Sequence, residues 1–181
     1  MCRYWYDCEF IDDGHTIDLI SIGIVCEDGR ELYCQHVNYD ASKASEWVQE
    51  NVLTHLEQCE GGGGHLEHSI RGGQCMGKYL ACGCPWYTQA EIKSAILRFM
   101  DIEKYGKPEL WGYYSAYDHV AFCQLFGTMM DLPKGFPMLT YDLRQWLDMN
   151  GKGDVHQPDN SVHNSLEDAR WVAETYKRLV R

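Results

Sequence analysis

The chain lacks any run of about 18 or more consecutive apolar residues, which excludes a membrane-spanning helix. Its first residues lack the basic and then apolar regions of a secretory signal and enter a strand-like segment at once. The cytoplasm is therefore the expected compartment. Positive charge is scarce: 16 Lys and Arg stand against 27 Asp and Glu, a net charge of −11. That balance argues against a broad basic surface coating a long duplex. A Cys-x-x-Cys pair is also missing, which removes the usual redox motif and the standard zinc-ligand spacing. No internal repeat occurs.

What is present fits an ordinary globular protein. The 181 residues are 45% hydrophobic and 24% charged, enough for one domain over residues 1–181 with a real core. Nine cysteines, an odd number without a secretion signal, are expected to be reduced thiols. Residues 3–10 read as an aromatic strand, Ile17 to Cys26 as a β-branched second strand, and Glu31 to Val37 as a third, reached through the Asp28-Gly29 hairpin signal. Residues 42–56 look helical, with Trp47, Val48, Val52 and Leu56 as the apolar stripe. Thr88 and Glu91 make a capping box opening a helix to about Tyr105. Pro108 to Tyr113 reads as a strand, Tyr117 to Phe126 and Tyr141 to Met149 as helices, and Asn164 with Glu167 as a second capping box for a last helix to about Leu179. Three meander strands followed by a later strand reached through helices predict an α/β sheet of mixed direction with flanking helices.

Five residues in three local patterns carry the chemistry. Asp7 and Glu9 lie two apart on the first strand and so face the same way. Asp118 opens a helix after a strand, where the positive helix end tolerates a carboxylate. His163 precedes the last helix and Asp168 falls in its first turn; among eight histidines, only His163 has an Asp five residues on. Each pattern alone admits a plain alternative, a solvated strand edge or an exposed helix cap. Together, four carboxylates and one imidazole suit two-metal phosphodiester hydrolysis. The carboxylates hold two Mg²⁺ or Mn²⁺ ions and the histidine takes a proton from the attacking water. Asp7, Glu9 and Asp168 are expected to hold one metal, with Asp7 bridging to a second that Asp118 completes.

The same residues resemble the three motifs of the DEDD exonuclease superfamily, in the subgroup with histidine before the last Asp (DEDDh), whose fold is RNase H-like. Asp7 and Glu9 match the first motif, Asp118 the second, and His163 with Asp168 the third. Many members carry Asn four residues before the second-motif Asp; here it is Tyr114. The run from Tyr6 to Gly23, Ala116 to Leu125, Leu143-Arg144-Gln145 and Val162 to Arg170 further resemble the polyadenylate-specific 3'-exoribonuclease AS family, in which that position is not Asn. The resemblance covers nearly everything outside about residues 57–87. It implies a magnesium-dependent 3'-to-5' exoribonuclease on single-stranded RNA, a preference for adenylate-rich 3' ends, nucleoside 5'-monophosphate products, and a homodimer.

Candidate substrate contacts follow from chemistry. A single-stranded terminal base needs a stacking surface, for which Phe10, Tyr113, Tyr114 and Tyr117 are candidates, each equally able to serve as core. The turn holding Asp13, His15 and Thr16 follows the acidic strand and is placed to meet the terminal ribose. The segment of about 57–87 reads as an insertion rich in Gly, Cys and His; Cys59, His65, His68, Cys75, Cys82 and Cys84 are candidate zinc ligands, against a reduced, metal-free loop. Within the same chemistry, an oligoribonuclease-like enzyme or a DNA 3' exonuclease is the alternative. An inactive nucleic-acid or partner-binding module is the alternative of another class.

Overall fold

The computed structural model describes residues 1–57, 85–158 and 163–180. Six strands form one sheet: β1 (Cys2–Asp12), β2 (Ile17–Cys26), β3 (Glu31–His36), β4 (Trp86–Tyr87), β5 (Pro108–Gly112) and β6 (Tyr141–Asp142), in the order β4-β3-β2-β1-β5-β6. β1, β2 and β3 run antiparallel, whereas β4 joins β3 and β5 joins β1 in parallel, as does β6 on β5. This is the mixed α/β sheet with flanking helices of an RNase H-like exonuclease fold. No helix among the described residues is long and apolar enough to cross a membrane.

Alternation along β1 sorts the two faces. Tyr4, Tyr6 and Cys8 bury against Ile92 and Ile96 of α2 (Gln89–Phe99) and Phe122 of α4 (Ala116–Gln124). Trp5 faces the other way, onto Leu143 and Leu147 of α5 (Leu143–Met149) and Val172 and Tyr176 of α6 (Ser165–Leu179). Asp7 and Glu9 share the parity of Trp5 and look toward α6. The β1–β2 register slips between Glu9 and Phe10, so Glu9 pairs with Ser21 and Phe10 with Leu19. Ile20 is left over, and the alternation of β2 flips there: Ile22 and Ile24 pack with Tyr6, but Ile20 joins Ile11 in a third cluster with Val52, Leu56 and Trp86.

α6 approaches β2 more closely than a side chain would permit. A Cβ on Gly23, which pairs with Asp7, would lie 2.3 Å from the Leu166 N and Ser165 O atoms. Beside it the buried hydroxyls of Ser21 and Ser165 are 2.9 Å apart. These contacts set the depth at which the first turn of α6 meets the acidic end of β1.

The elements depart from expectation in local ways. Residues 42–56 are not one helix. Asp40 caps a 3-10 turn at Ala41–Lys43, Ser45 caps α1 (Glu46–Asn51), and a second 3-10 turn follows at Leu53–His55. Val52 and Leu56 bury as expected, but Trp47 is 53% exposed. The Thr88–Glu91 capping box is complete, yet its helix stops at Phe99, because Asp101 accepts from the Glu103 and Lys104 amides and starts the short α3 (Ile102–Tyr105). Tyr141 and Asp142 belong to β6 and Asp142 caps α5. Asn164 caps α6 through the Leu166 and Glu167 amides, while Glu167 turns to Arg170 instead of completing a box. The far end of the presumed insertion, Trp86–Tyr87, is sheet strand. Cys59, His65, His68, Cys75, Cys82 and Cys84 lie outside the described residues.

Gly23→Ala should therefore displace α6 or unfold part of the protein, at a cost of roughly 1–3 kcal/mol or more for overpacking against backbone. Urea denaturation measures it; a midpoint equal to wild type would mean that α6 does not depend on this contact.

Candidate active site

Three elements converge on one cleft of about 270 Å³. β1 supplies Asp7, Cys8, Glu9 and Phe10, α4 supplies Asp118, and the entry to α6 supplies His163 and Asp168; Tyr113, Tyr114, Gln157, Trp171 and Val172 complete the lining. The five residues of the three sequence patterns are thus brought together. Asp7, Glu9 and Asp168 offer oxygen atoms that all lie within 4.8 Å of one another.

Two of the acidic side chains, those of Asp118 and Asp168, accept backbone amides. Asp118 is buried in the first turn of α4, and its Oδ1 accepts the Cys8 amide at 2.9 Å, so β1 fixes the helix carboxylate that faces it. The start of α4 is fixed in turn by Asp142, whose Oδ2 accepts from the Ser115 amide at 2.8 Å. Close packing of Gly112, whose Cβ would fall 2.5 Å from that of Ser115, holds the same corner. On α6, Asp168 accepts the His163 amide at 3.1 Å through Oδ2 and the Gln157 side-chain amide through Oδ1. His163 has a left-handed φ of 70°, uncommon for a residue with a side chain, and this bend puts its amide over Asp168.

The electrostatics are those of crowded like charges. Burial pushes the Asp7 carboxyl well above its ordinary range, and the neighbouring charges of Asp118, Glu9 and Asp168 push it further. Glu9 is pushed up to about 8, by burial first and then by Asp168 and Asp118. Asp118 is pushed up to about 7 by burial, against the lowering effect of the Cys8 amide and aided by Asp142 and Asp168. Asp168 is also raised by burial, less so because Gln157 and His163 favour its charged form. Four partly or fully buried carboxylates with no Lys or Arg in the cleft lining are costly. This donor set could hold an oxygen-ligating divalent cation, whose charge and ligand preference it would match.

Aromatic residues flank the acids. Tyr113 lines the cleft with its hydroxyl donating to Asp154 Oδ1 and the Val155 carbonyl, and its ring stands edge-on to Trp171. Tyr114 is 65% exposed and takes a left-handed φ of 56°; Arg144 Nε donates to its hydroxyl at 3.3 Å. Arg144 is itself engaged by Asp148 and Asp154. Phe10 reaches the cleft and stacks on Tyr117, which is not part of the lining. Asp13, His15 and Thr16 do not line it either. Asp13 Oδ1 accepts the amides of His15 and Thr16 and closes their turn, with Lys43 beside Oδ2. Sequence reasoning passed over Gln157, which sits in a polar loop with no pattern to mark it, and Trp171, a partly buried α6 residue packed against the Trp5 cluster, whose pattern marks it as core.

The raised carboxyls carry a pH signature. In EDTA, Glu9 and Asp118 hold protons in the folded state to about pH 8 and about pH 7, whereas in the unfolded chain both lose them near pH 4. The folded state then binds more protons over that interval. The contribution of these two groups to stability is full below about pH 4, is lost as pH rises through the folded values, and levels off above them. Urea midpoints at successive pH values should trace this decline, and a profile flat from pH 5 to pH 8 would contradict the crowding.

The whole chain matches a known family. The sequence model of the Rv2179c-like 3'-5' exoribonuclease domain matches residues 2–180. Two curated Mycobacterium tuberculosis proteins, the 3'-5' exoribonuclease Rv2179c of strain ATCC 25618 / H37Rv and the 3'-5' exoribonuclease MT2234.1 of strain CDC 1551 / Oshkosh, are each 38% identical to the chain over 168 residues, covering 93% of it and 87% of the relative.

Proposed function

The chain belongs to the family of Rv2179c-like 3'-5' exoribonuclease domains, and from that premise we propose that its cleft removes nucleotides from the 3' end of single-stranded RNA by metal-dependent hydrolysis of the DEDDh type. The observation that carries the reading is the convergence of Asp7, Glu9, Asp118, Asp168 and His163 on one cleft. Asp7, Glu9 and Asp168 would hold one divalent cation, and Asp7 with Asp118 a second. Bound there, two Mg²⁺ or Mn²⁺ ions supply positive charge to the attacking and leaving oxygens.

The remaining steps belong to the chain's own groups. His163, outside the helix that fixes Asp168, takes a proton from the attacking water. The water oxygen bonds to the terminal phosphorus, the bond from phosphorus to the 3' oxygen breaks, and that oxygen takes a proton from solvent and leaves as the 3'-hydroxyl of the shortened RNA. The departing residue is a nucleoside 5'-monophosphate. Phe10, Tyr113 and Tyr114 offer ring surface for the terminal bases. Aromatic stacking tolerates every base, so the preference for adenylate-rich ends implied by the sequence resemblance is a separate part of the proposal. So are the homodimer, the cytoplasmic setting and a structural zinc held by Cys59, His65, His68, Cys75, Cys82 and Cys84, which sedimentation, fractionation and elemental analysis respectively test.

Several outcomes check the reading. Asp7→Ala and Asp168→Ala should nearly abolish release of mononucleotides from a labelled oligoribonucleotide while remaining folded. Magnesium should raise the urea midpoint of the wild type at pH 8, through binding to the folded state, and should not do so for Asp7→Ala. His163→Ala should lose roughly 10²–10⁴-fold in rate while keeping the magnesium-dependent gain in stability. A 3'-blocked substrate should be protected. Cleavage inside a circular RNA, or a wild-type rate for Asp7→Ala, would refute the proposal.

A further inference from the structure

Trp47 is the residue of the predicted 42–56 stripe that the fold leaves out of the core. Val52 and Leu56 are buried and Val48 packs against the same cluster, but Trp47 remains 53% exposed. It is not idle on the surface. Its ring stands against that of His163, with centroids 4.7 Å apart and planes at 83°, the edge-to-face arrangement that aromatic rings favour. His163 lines the acidic cleft, whereas Trp47 does not. The indole therefore meets the imidazole from outside the reaction space.

The contact supplies what the backbone cannot. The left-handed φ of His163 and its amide bond to Asp168 fix where the side chain begins. They leave χ1 and χ2 free to choose among rotamers. A proton acceptor has to stay within hydrogen-bond reach of the water it deprotonates, so an imidazole that wanders is a poor base however well its Cα is placed. α1 gives the indole a fixed mount: Ser45 caps the helix by accepting the Val48 amide at 3.2 Å, and Val52 and Leu56 anchor the chain that follows.

We propose that Trp47 is a positioning residue that holds the His163 imidazole in its proton-accepting orientation. The inference rests on the reading of His163 as the general base. It differs from a role in stacking a nucleobase, which would act on substrate affinity. Loss of the indole leaves the carboxylates and the cleft lining in place, so it lowers the turnover of bound substrate and spares its binding.

The test compares Trp47→Ala, Trp47→Phe, His163→Ala and the Trp47→Ala/His163→Ala double variant on a single-stranded oligoribonucleotide in saturating magnesium. His163 ring-proton resonances are followed in magnesium-free protein. Trp47→Ala is expected to show kcat about 10–100-fold lower, KM and urea midpoint unchanged, and shifted His163 resonances. Trp47→Phe should recover most of the rate, and the double variant should be no slower than His163→Ala. A raised KM with kcat intact assigns Trp47 to the substrate and overturns the inference, as does a double variant slower by the product of the two single effects. A slow His163→Ala beside a fast Trp47→Ala overturns it alone. A His163→Ala variant with wild-type rate overturns the base reading, and this inference with it.

Discussion

The contact on which the rest of the site depends is between two backbones. Gly23 lets the first turn of α6 sit on β2 at a distance where a Cβ would overlap Leu166 and Ser165. Because Gly23 is the register partner of Asp7, that approach brings Asp168 to the carboxylates of β1. A larger residue would push α6 off β2 and part the acids. The paired Ser21 and Ser165 hydroxyls satisfy polar groups at a junction too tight for apolar packing.

Stability and chemistry pull against each other in the cleft. Asp7, Glu9, Asp118 and Asp168 repel one another in a partly desolvated space, a local conflict of the kind folds tolerate at functional sites. The fold withstands it by tying the acids to rigid donors, the Cys8 amide for Asp118 and the His163 amide for Asp168. Among the described residues, the two non-glycine residues with left-handed backbone, Tyr114 and His163, both line the same cleft. Strain of that sort persists only where the surroundings determine it. At Tyr114 they include the Ser115–Asp142 hydrogen bonds next along the chain and the Arg144 contact to its hydroxyl.

Much of this was legible in the sequence. Strand parity alone turns Asp7 and Glu9 to one side, and the asparagine cap places His163 outside α6 with Asp168 inside it. The three meander strands, the Thr88 cap and the five-residue set stand where the patterns put them. Contacts between distant segments were hidden. Nothing in a periodicity says that Gly23 will touch Leu166, that Gln157 will donate to Asp168, or that Trp47, reading as core, will face His163 instead. Helix lengths also escaped where a single aspartate or serine side chain competed for backbone amides, as at Asp101 and Ser45.

Gln35 ties together two points of the chain that are 28 residues apart in sequence, Glu57 and Pro85. Its side chain bonds to both the amide and the carbonyl of Glu57, its own amide bonds to the Pro85 carbonyl at 2.6 Å, and the Trp86 indole donates to the same Glu57 carbonyl. The two ends of the intervening stretch are thus clasped to one buried residue of β3, independently of what joins them. Such a clasp is a socket: the bonds that hold its two ends are made by Gln35, Glu57, Pro85 and Trp86 themselves, so a substitution between those ends leaves the donors and acceptors at this side of the sheet unchanged.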